Sequence, residues 1–235
     1  MCLVLRPRND LRQYDDLAGE WWKGRGEFAA LHWLAKARGA LIPPPARPGA
    51  ALLDVGCGGG LLAPHLPPGY RHVGVDLSAS ALAVASAYGV EGVLADAAAL
   101  PFPDGAFDVV VAGEVLEHVE DLDAVVAEAT RVLAPGGLFL CDTIADTAFA
   151  RLSLVTIAER VPGGPPLHCH DPALFVEPER LRELCRRGGV DLRLRGLRPA
   201  PLEFLAFLAG RRDDVTMVPT RARNAVIQGM GQKAR

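Results

Sequence analysis

Short apolar runs recur at about 51–55, 72–76, 91–95 and 107–112, each parted from the next by a segment of helical or turn character. Ala79 to Tyr88 reads as an alanine-rich helix, with Ser78 supplying the N-cap oxygen. Leu122 to Leu133 repeats apolar residues at helical spacing and stops at Pro135-Gly136-Gly137, after which Leu138-Phe139-Leu140 opens another strand. A further helix is expected to begin at Leu61-Leu62, and Pro101 to Asp108 forms a turn into Val109-Val110-Val111. Strands alternating with helices predict an α/β fold: a Rossmann-like, doubly wound, mostly parallel sheet of seven strands with helices on both faces.

The flanks depart from this rhythm. Asp10 to Ile42 holds all three tryptophans, looks helical and ends at Pro43-Pro44-Pro45, which cannot continue a helix and makes a stiff linker. Residues 1–48 are therefore expected to form a helical extension and 49–235 the main domain. An insertion at about 145–175 contains an amphipathic helix, Phe149 to Val161, with Phe149, Leu152, Val155 and Ile157 against Arg151, Glu159 and Arg160. Gly163-Gly164-Pro165-Pro166 ends it, and His168, His170 and Asp171 follow. An insertion at this edge is placed either to cover a substrate as a lid or to pack on the sheet. Its apolar face also suits peripheral contact with a membrane if the substrate is lipidic. The stretch Arg221 to Arg235 is basic and expected to be partly exposed.

Composition narrows the function classes. Half of the 235 residues are hydrophobic and 23% are charged, an ordinary globular balance. The formal charge of −3 offers no strong basic field, so no nucleic-acid partner is expected. The five cysteines (Cys2, Cys57, Cys141, Cys169, Cys185) lack paired spacing, which indicates neither a zinc site nor a disulfide framework. With no secretory signal and no apolar run of membrane-spanning length, a cytoplasmic location is expected.

The richest chemistry begins at Leu52-Leu53-Asp54-Val55-Gly56-Cys57-Gly58-Gly59-Gly60. A strand ending in an acid and running into a glycine turn lets a ligand approach the main chain closely. Asp54 would repel a pyrophosphate and attract a cationic ligand. The loop resembles the cofactor loop of class I S-adenosylmethionine-dependent methyltransferases, whose cofactor carries an ammonium and a sulfonium. Val73-Gly74-Val75-Asp76 ends a second strand in an acid, and an acid about 20 residues beyond such a loop accepts from both ribose hydroxyls. Asp96 closes a third strand within reach of an adenine amino group. Gly56, Gly58, Leu77 and Ala97 complete this set of candidate cofactor contacts.

Gly113-Glu114-Val115-Leu116-Glu117-His118 follows the fourth strand on the same edge. Two carboxylates and an imidazole this close supply either a general base or ligands for a divalent cation. If the segment turns helically, Glu114, Glu117 and His118 share one face. His118 and Glu117 are the candidate catalytic groups.

Four stretches together resemble the ubiquinone-biosynthesis O-methyltransferases, class I enzymes acting on catechol-like polyprenyl intermediates. They are Tyr14 to Ile42 with Trp21-Trp22, Gly26-Glu27-Phe28 and Leu31-His32; Leu53 to Leu62; Glu114 to Val119; and His170-Asp171 with Phe175-Val176 and Pro178. The likeness covers roughly residues 10–200. It implies S-adenosyl-L-methionine as cofactor and a hydrophobic phenolic or catechol-like acceptor. It also implies that Arg38 contacts the cofactor near its carboxylate, that Gly113 meets it through the main chain, and that Glu114, Glu117 and His118 bind magnesium, as that set does in some members. The chain departs from the family at Arg198-Pro199-Ala200 and in its unusually apolar Leu202 to Leu208, both expected near the acceptor. Two other classes compete: a nucleotide-dependent oxidoreductase, which Asp54 opposes, and a non-catalytic cofactor-binding module, which the Glu-Glu-His set opposes.

Overall fold

A computed structural model describes residues 7–161 and 164–235. Cys2 and Gly163 lie outside the described residues. The parallel core is built from β1 (Ala51–Val55), β2 (Arg71–Asp76), β3 (Glu91–Leu94), β4 (Phe107–Gly113) and β5 (Leu133–Ile144), followed by β6 (Arg193–Pro199), β7 (Met217–Thr220) and β8 (Val226–Gln232). The sheet has eight strands, not seven, in the order β3-β2-β1-β4-β5-β8-β6-β7. β1 to β5 pair in parallel, whereas β8 runs antiparallel between β5 and β6, and β7 pairs antiparallel on the outer edge of β6.

Helices α1 (Arg12–Asp16), α2 (Ala29–Gly39), α3 (Ala79–Ser86), α4 (Leu122–Val132), α5 (Ala148–Ala150), α6 (Pro178–Arg187) and α7 (Pro201–Leu208) surround this sheet. Strand residues alternate between its two sides. Leu53, Val55, Val110, Ala112 and Phe139 pack with Val125, Val126 and Ala129 of α4 and Leu181 and Cys185 of α6. Leu52, Val109, Val111 and Leu140 face the other way, toward Ile42 and Leu62. With both faces covered, β1 is buried along its whole length, as a central parallel strand must be.

Local chemistry explains most boundaries. Ser78 accepts from the Ala81 N–H at the start of α3, and Asp121 accepts from the Ala124 N–H at the start of α4. Capping of this kind contributes about 1 kcal/mol. Two expectations are corrected. The helix expected at Leu61-Leu62 is only a series of turns ending in a short 3-10 turn, Ala63–His65, because Pro64, Pro67 and Pro68 lack the N–H donors a longer helix needs. β5 begins directly at Leu133, where Phe107 pairs with Leu133 before the register shifts and Val109 pairs with Leu138, so Pro135-Gly136-Gly137 is an irregularity within a strand rather than a gap before one. The basic stretch Arg221 to Arg235 is partly exposed, as expected, at 221–224, 230, 232, 234 and 235, while Ile227, Gln228 and Gly229 of β8 are buried in the sheet.

The segment expected as a regular helix at 149–161 has a wide centre: α5 continues through a π-helical stretch, Arg151–Ile157, into a 3-10 turn, Ala158–Arg160. The wide turn changes the phase of the side chains. Val155 turns inward with Ile144, Ala150 and Phe175, while Phe149, Leu152 and Ile157 are each more than half exposed. No helix among the described residues is long and apolar enough to cross a membrane.

The N-terminal segment folds onto the glycine loop. Trp21 is buried against it so closely that a Cβ on Gly58 or Gly59 would lie 2.4 or 2.5 Å from the indole ring. Trp22 donates its indole N–H to the Gly59 carbonyl at 3.0 Å and stacks on Tyr88, just beyond α3. Trp21 in turn stacks on Phe28 at 4.2 Å between ring centres.

Candidate active site

A cleft of about 710 Å³ opens at the carboxyl ends of β1, β2, β3 and β4. This is where the strand order reverses between β1 and β4, the position at which doubly wound sheets hold ligands. Arg38, Asp54, Gly56, Gly58, Asp76, Leu77, Asp96, Ala97, Gly113, Glu114 and His118 all line it. Glu117 does not.

The first half of the cleft is a set of backbone turns locked by carboxylates. The N–H groups of Gly56 and Cys57 both bond the Val75 carbonyl, tying the loop to β2. Gly56 adopts φ +68°, and a Cβ there would lie 2.5 Å from Val115, so glycine is needed for both conformation and space. Asp76 accepts from the Gly58 N–H at 2.8 Å through one oxygen and from the Ser78 N–H at 2.9 Å through the other. Burial raises its pKa, and the N–H groups of Ser78 and Gly58 hold that rise back. Each oxygen retains acceptor capacity toward the cleft for a ribose diol. Asp96 accepts from the Ala98 N–H at 2.8 Å, which shapes the turn that brings Ala97 to the lining. Asp54 is buried, with His72 Nε2 3.5 Å from its Oδ2.

Arg38 and Gly113 prove to be one device. Arg38 leaves α2 and donates from Nε and Nη2 to the two oxygens of Asp142 on β5, at 2.7 and 2.5 Å, with both side chains buried. A Cβ on Gly113 would lie 1.9 Å from the guanidinium carbon. The glycine is therefore the space in which the arginine lies. Two of its five N–H donors are taken by Asp142, which leaves the others for a ligand carboxylate. Asp142 was not legible as a site residue, because in sequence it is one acid inside an apolar strand.

The Glu-Glu-His segment is not helical. Glu114 adopts φ +54°, a left-handed conformation that breaks helical geometry and costs a side chain about 1 kcal/mol. Its N–H bonds the Asp142 carbonyl at 2.8 Å. His118 parts from the two carboxylates, which stay close to each other. Glu117 is wholly buried behind the cleft and accepts from the Thr143 hydroxyl at 2.8 Å. Among the described residues, neither Glu114 Oε1 nor Glu117 Oε1, both buried, has a hydrogen-bond partner. Burial and the charge of Glu117 together push the Glu114 carboxyl well above the usual range, so it is held as the neutral acid.

His118 turns toward the cleft, between two segments that the sequence reading did not connect. Asn9 donates from Nδ2 to the His118 carbonyl at 2.9 Å, which orients its amide so that Oδ1 meets His118 Nδ1 at 2.7 Å. Nδ1 must then carry the proton and Nε2 the lone pair. The Tyr14 hydroxyl is 3.4 Å from Nε2, and the His170 ring stacks on His118 at 5.4 Å. Burial lowers the His118 pKa to about 3, with the His170 charge adding to the effect. The ring is neutral at physiological pH.

The insertion closes this end. Glu159 accepts from the His168 and His170 N–H groups and from Arg8, whose guanidinium also donates to the His170 carbonyl at 2.8 Å. The Asn9 N–H bonds the His168 carbonyl at 3.0 Å, so the N-terminal segment and the insertion are zipped together over the cleft. Asn9, Tyr14, Glu159 and Cys169 were missed from sequence; the one local signal was the pair of histidines flanking Cys169.

The expected magnesium set is not assembled. Among the described residues, the trio of candidate ligand side chains whose donor atoms lie within 4.8 Å of one another is His118, Cys169 and His170. Magnesium demands octahedral oxygen ligands, whereas His118 is separated from the two carboxylates and joins a nitrogen and sulfur group. Neither Arg198-Pro199-Ala200 nor any residue of α7 lines the cleft, which corrects their expected place near the acceptor. Phe204 and Phe207 instead pack on Trp33.

Residues 53–141 match the methyltransferase domain family. Among solved structures, S-adenosyl-L-methionine-bound phosphoethanolamine N-methyltransferase 2 of Haemonchus contortus aligns with a TM-score of 0.64 and 19% identity, over 99% of this chain and 61% of its own. The cyclase SpnF aligns with a TM-score of 0.56 and 20% identity, over 98% of this chain and 97% of its own. The fold thus serves more than one chemistry. Closer in sequence is the ubiquinone biosynthesis O-methyltransferase of Ralstonia nicotianae, 37% identical over 204 residues, 82% of this chain and 85% of that protein. The enzyme of the same name from Albidiferax ferrireducens is 33% identical over 232 residues, 93% of this chain and 91% of its own.

Two outcomes are expected. Asp76→Ala should weaken S-adenosylhomocysteine binding at least about tenfold in calorimetric titration, since it removes hydrogen bonds to a charged acceptor worth roughly 1.5–3 kcal/mol each; unchanged affinity would remove Asp76 from the ribose contact. The second concerns acid stability. His118 binds a proton at about 6.5 when unfolded but only at about 3 when folded, so the unfolded state takes up more protons between those values and its contribution is lost as pH falls below about 6.5. His32 and His65 are also lowered by burial and act alike in both proteins. The melting temperature of His118→Gln should therefore drop less than that of the wild type between pH 7 and pH 5; parallel curves would refute it. On sequence and fold together, the chain belongs to the ubiquinone biosynthesis O-methyltransferase family, S-adenosylmethionine-dependent enzymes built on the methyltransferase sheet.

Proposed function

We propose that this enzyme methylates the hydroxyl of a phenolic or catechol-like acceptor bearing a hydrophobic tail, with His118 as the general base. The observation that carries the reading is the unprotonated Nε2 of His118, held toward the cleft by Asn9 on the opposite ring nitrogen. S-adenosylmethionine, when bound, supplies an activated methyl group that passes in line to the acceptor oxygen. The residues present fit that cofactor: Asp54 offers a negative wall to its cationic end, Arg38 offers free N–H donors to a carboxylate, and Asp76 offers acceptors to a ribose.

His118 supplies a proton acceptor that is never pre-empted at neutral pH. A base this weak does not ionise a free phenol. It takes the proton late, as carbon–oxygen bond formation makes the hydroxyl strongly acidic, which is what general-base assistance requires. The cleft's main contribution is proximity and alignment. Glu117 does not reach the cleft and so acts as a positioning residue, fixing the turn before His118 through Thr143.

The acceptor's tail has a route beneath the insertion, where Leu154 and Pro166 line the cleft and Phe149, Leu152 and Ile157 face outward. The outward face suits peripheral contact with the lipid surface from which a hydrophobic acceptor would be drawn.

His118→Ala should reduce turnover of a catechol acceptor by about 10²–10⁴ while leaving S-adenosylhomocysteine affinity within a factor of two; full activity would overturn the assignment of the base. Replacing Phe149, Leu152 and Ile157 together by serine should raise KM several-fold for a polyprenyl catechol presented in vesicles and leave KM for a short soluble catechol unchanged. Equal effects on both substrates would refute the role of that face.

A further inference from the structure

His118, Cys169 and His170 present three donor atoms within 4.8 Å of one another at the inner wall of the cleft. The Tyr14 hydroxyl lies beside them, 3.4 Å from His118 Nε2 and 3.5 Å from Cys169 Sγ. Donor atoms around a tetrahedral zinc ion lie about 3.3–3.8 Å apart, given metal–ligand bonds of about 2.0–2.3 Å. The trio must therefore close by roughly an ångström, and one imidazole must rotate out of the stacked arrangement so that both in-plane lone pairs meet at the ion, changes that side-chain torsions can supply.

The surroundings are those of ligands as well as of packing. A metal-binding histidine offers one ring nitrogen to the ion and is held by an acceptor on the other. Both histidines meet this description. His118 Nδ1 is engaged by the Asn9 amide oxygen at 2.7 Å, and Nε2, which has only the Tyr14 hydroxyl at 3.4 Å beside it, is the nitrogen left for an ion. His170 Nδ1 faces the buried carboxylate of Glu159 at 3.6 Å and has no hydrogen-bond partner at that distance. That buried nitrogen gains its partner if the ring shifts slightly toward Glu159, as ligation through Nε2 would ask. Cys169 is buried, with the Tyr14 hydroxyl 3.5 Å from its thiol. All three residues line the cleft, so an ion has a way in.

We propose that His118, Cys169 and His170 form a binding site for a zinc-class divalent transition metal, with the fourth position open to the cleft. Two imidazoles and a thiolate are borderline-to-soft donors, which select zinc or cobalt over magnesium. Binding displaces the thiol proton to solvent, so a dication replaces one proton and affinity rises with pH. The site uses His118 Nε2, so an ion there removes the ring from service as a free base and substitutes a Lewis acid beside the acceptor. The metal binding itself is independent of the acceptor's identity and of methyl transfer.

The test is anaerobic titration of Co²⁺ into the purified full chain, followed by absorption spectroscopy. The expected result is a sulfur-to-cobalt charge-transfer band that saturates at one equivalent and is displaced by one equivalent of Zn²⁺ but not by excess Mg²⁺. Cys169→Ser should abolish the band, and His170→Ala should weaken cobalt binding at least tenfold. Cys2→Ser and Cys185→Ser should leave the band intact. Absence of the band, or its persistence in Cys169→Ser, would overturn the site. Each variant's S-adenosylhomocysteine affinity checks that the fold is kept. A wild-type protein that binds cobalt through Cys169 but no S-adenosylhomocysteine would leave this site standing and sink the reading of the cofactor pocket instead.

Discussion

The buried ion pair between Arg38 and Asp142 is the contact on which the site's architecture rests. It joins a helix that precedes the sheet to a strand in its centre, and it crosses the end of β4 in a space that exists only because residue 113 has no side chain. Two charges buried this deeply are stable only when well paired. Removing one partner typically costs about 3–5 kcal/mol. Through this pair the N-terminal segment is held over the cleft. The Asp142 carbonyl also receives the Glu114 N–H, so the same residue sets the left-handed turn that parts His118 from Glu114 and Glu117.

The two ends of the cleft have contrasting physical characters. The end beside β1, β2 and β3 is made of backbone N–H groups capped by carboxylates, with Trp21 pressed onto glycines that leave it room. It is rigid and electronegative, suited to a cationic cofactor. The other end is made of side chains brought from three separated stretches: Asn9 and Tyr14, His118, and Cys169 with His170. It is where two imidazoles and a thiol are kept, and where the insertion closes over them. Division of a site into a fixed cofactor half and a side-chain-built acceptor half explains how one sheet serves different transfers.

The central β-α succession was legible because burial on both faces leaves a strong periodic signal and because glycine and acid at strand ends have few other uses. The cofactor half was legible for the same reason, since Asp54, Gly56, Gly58, Asp76 and Asp96 sit next to one another through local turns. The expected set of Glu114, Glu117 and His118 went astray on one dihedral angle. Nothing in the six-residue string announces that Glu114 lies at φ +54° rather than in a helix. The helix after the glycine loop failed where three prolines compete with it, and β8 was hidden because a strand paired on both sides in antiparallel fashion looked like a basic tail.

By itself, then, the sequence determined the central succession of strands and helices, the family, the glycine turn and the acids that line the cleft, because each shows in the pattern of a strand and the turn that follows it. The tertiary structure alone decided that Arg38 meets Asp142 above Gly113, that Asn9 orients His118, and that Cys169 stands between two histidines beside Tyr14. Those contacts join residues over a hundred positions apart. Their geometry is set by how the sheet and its covering segments pack, and no local pattern of hydrophobic and polar residues carries that information.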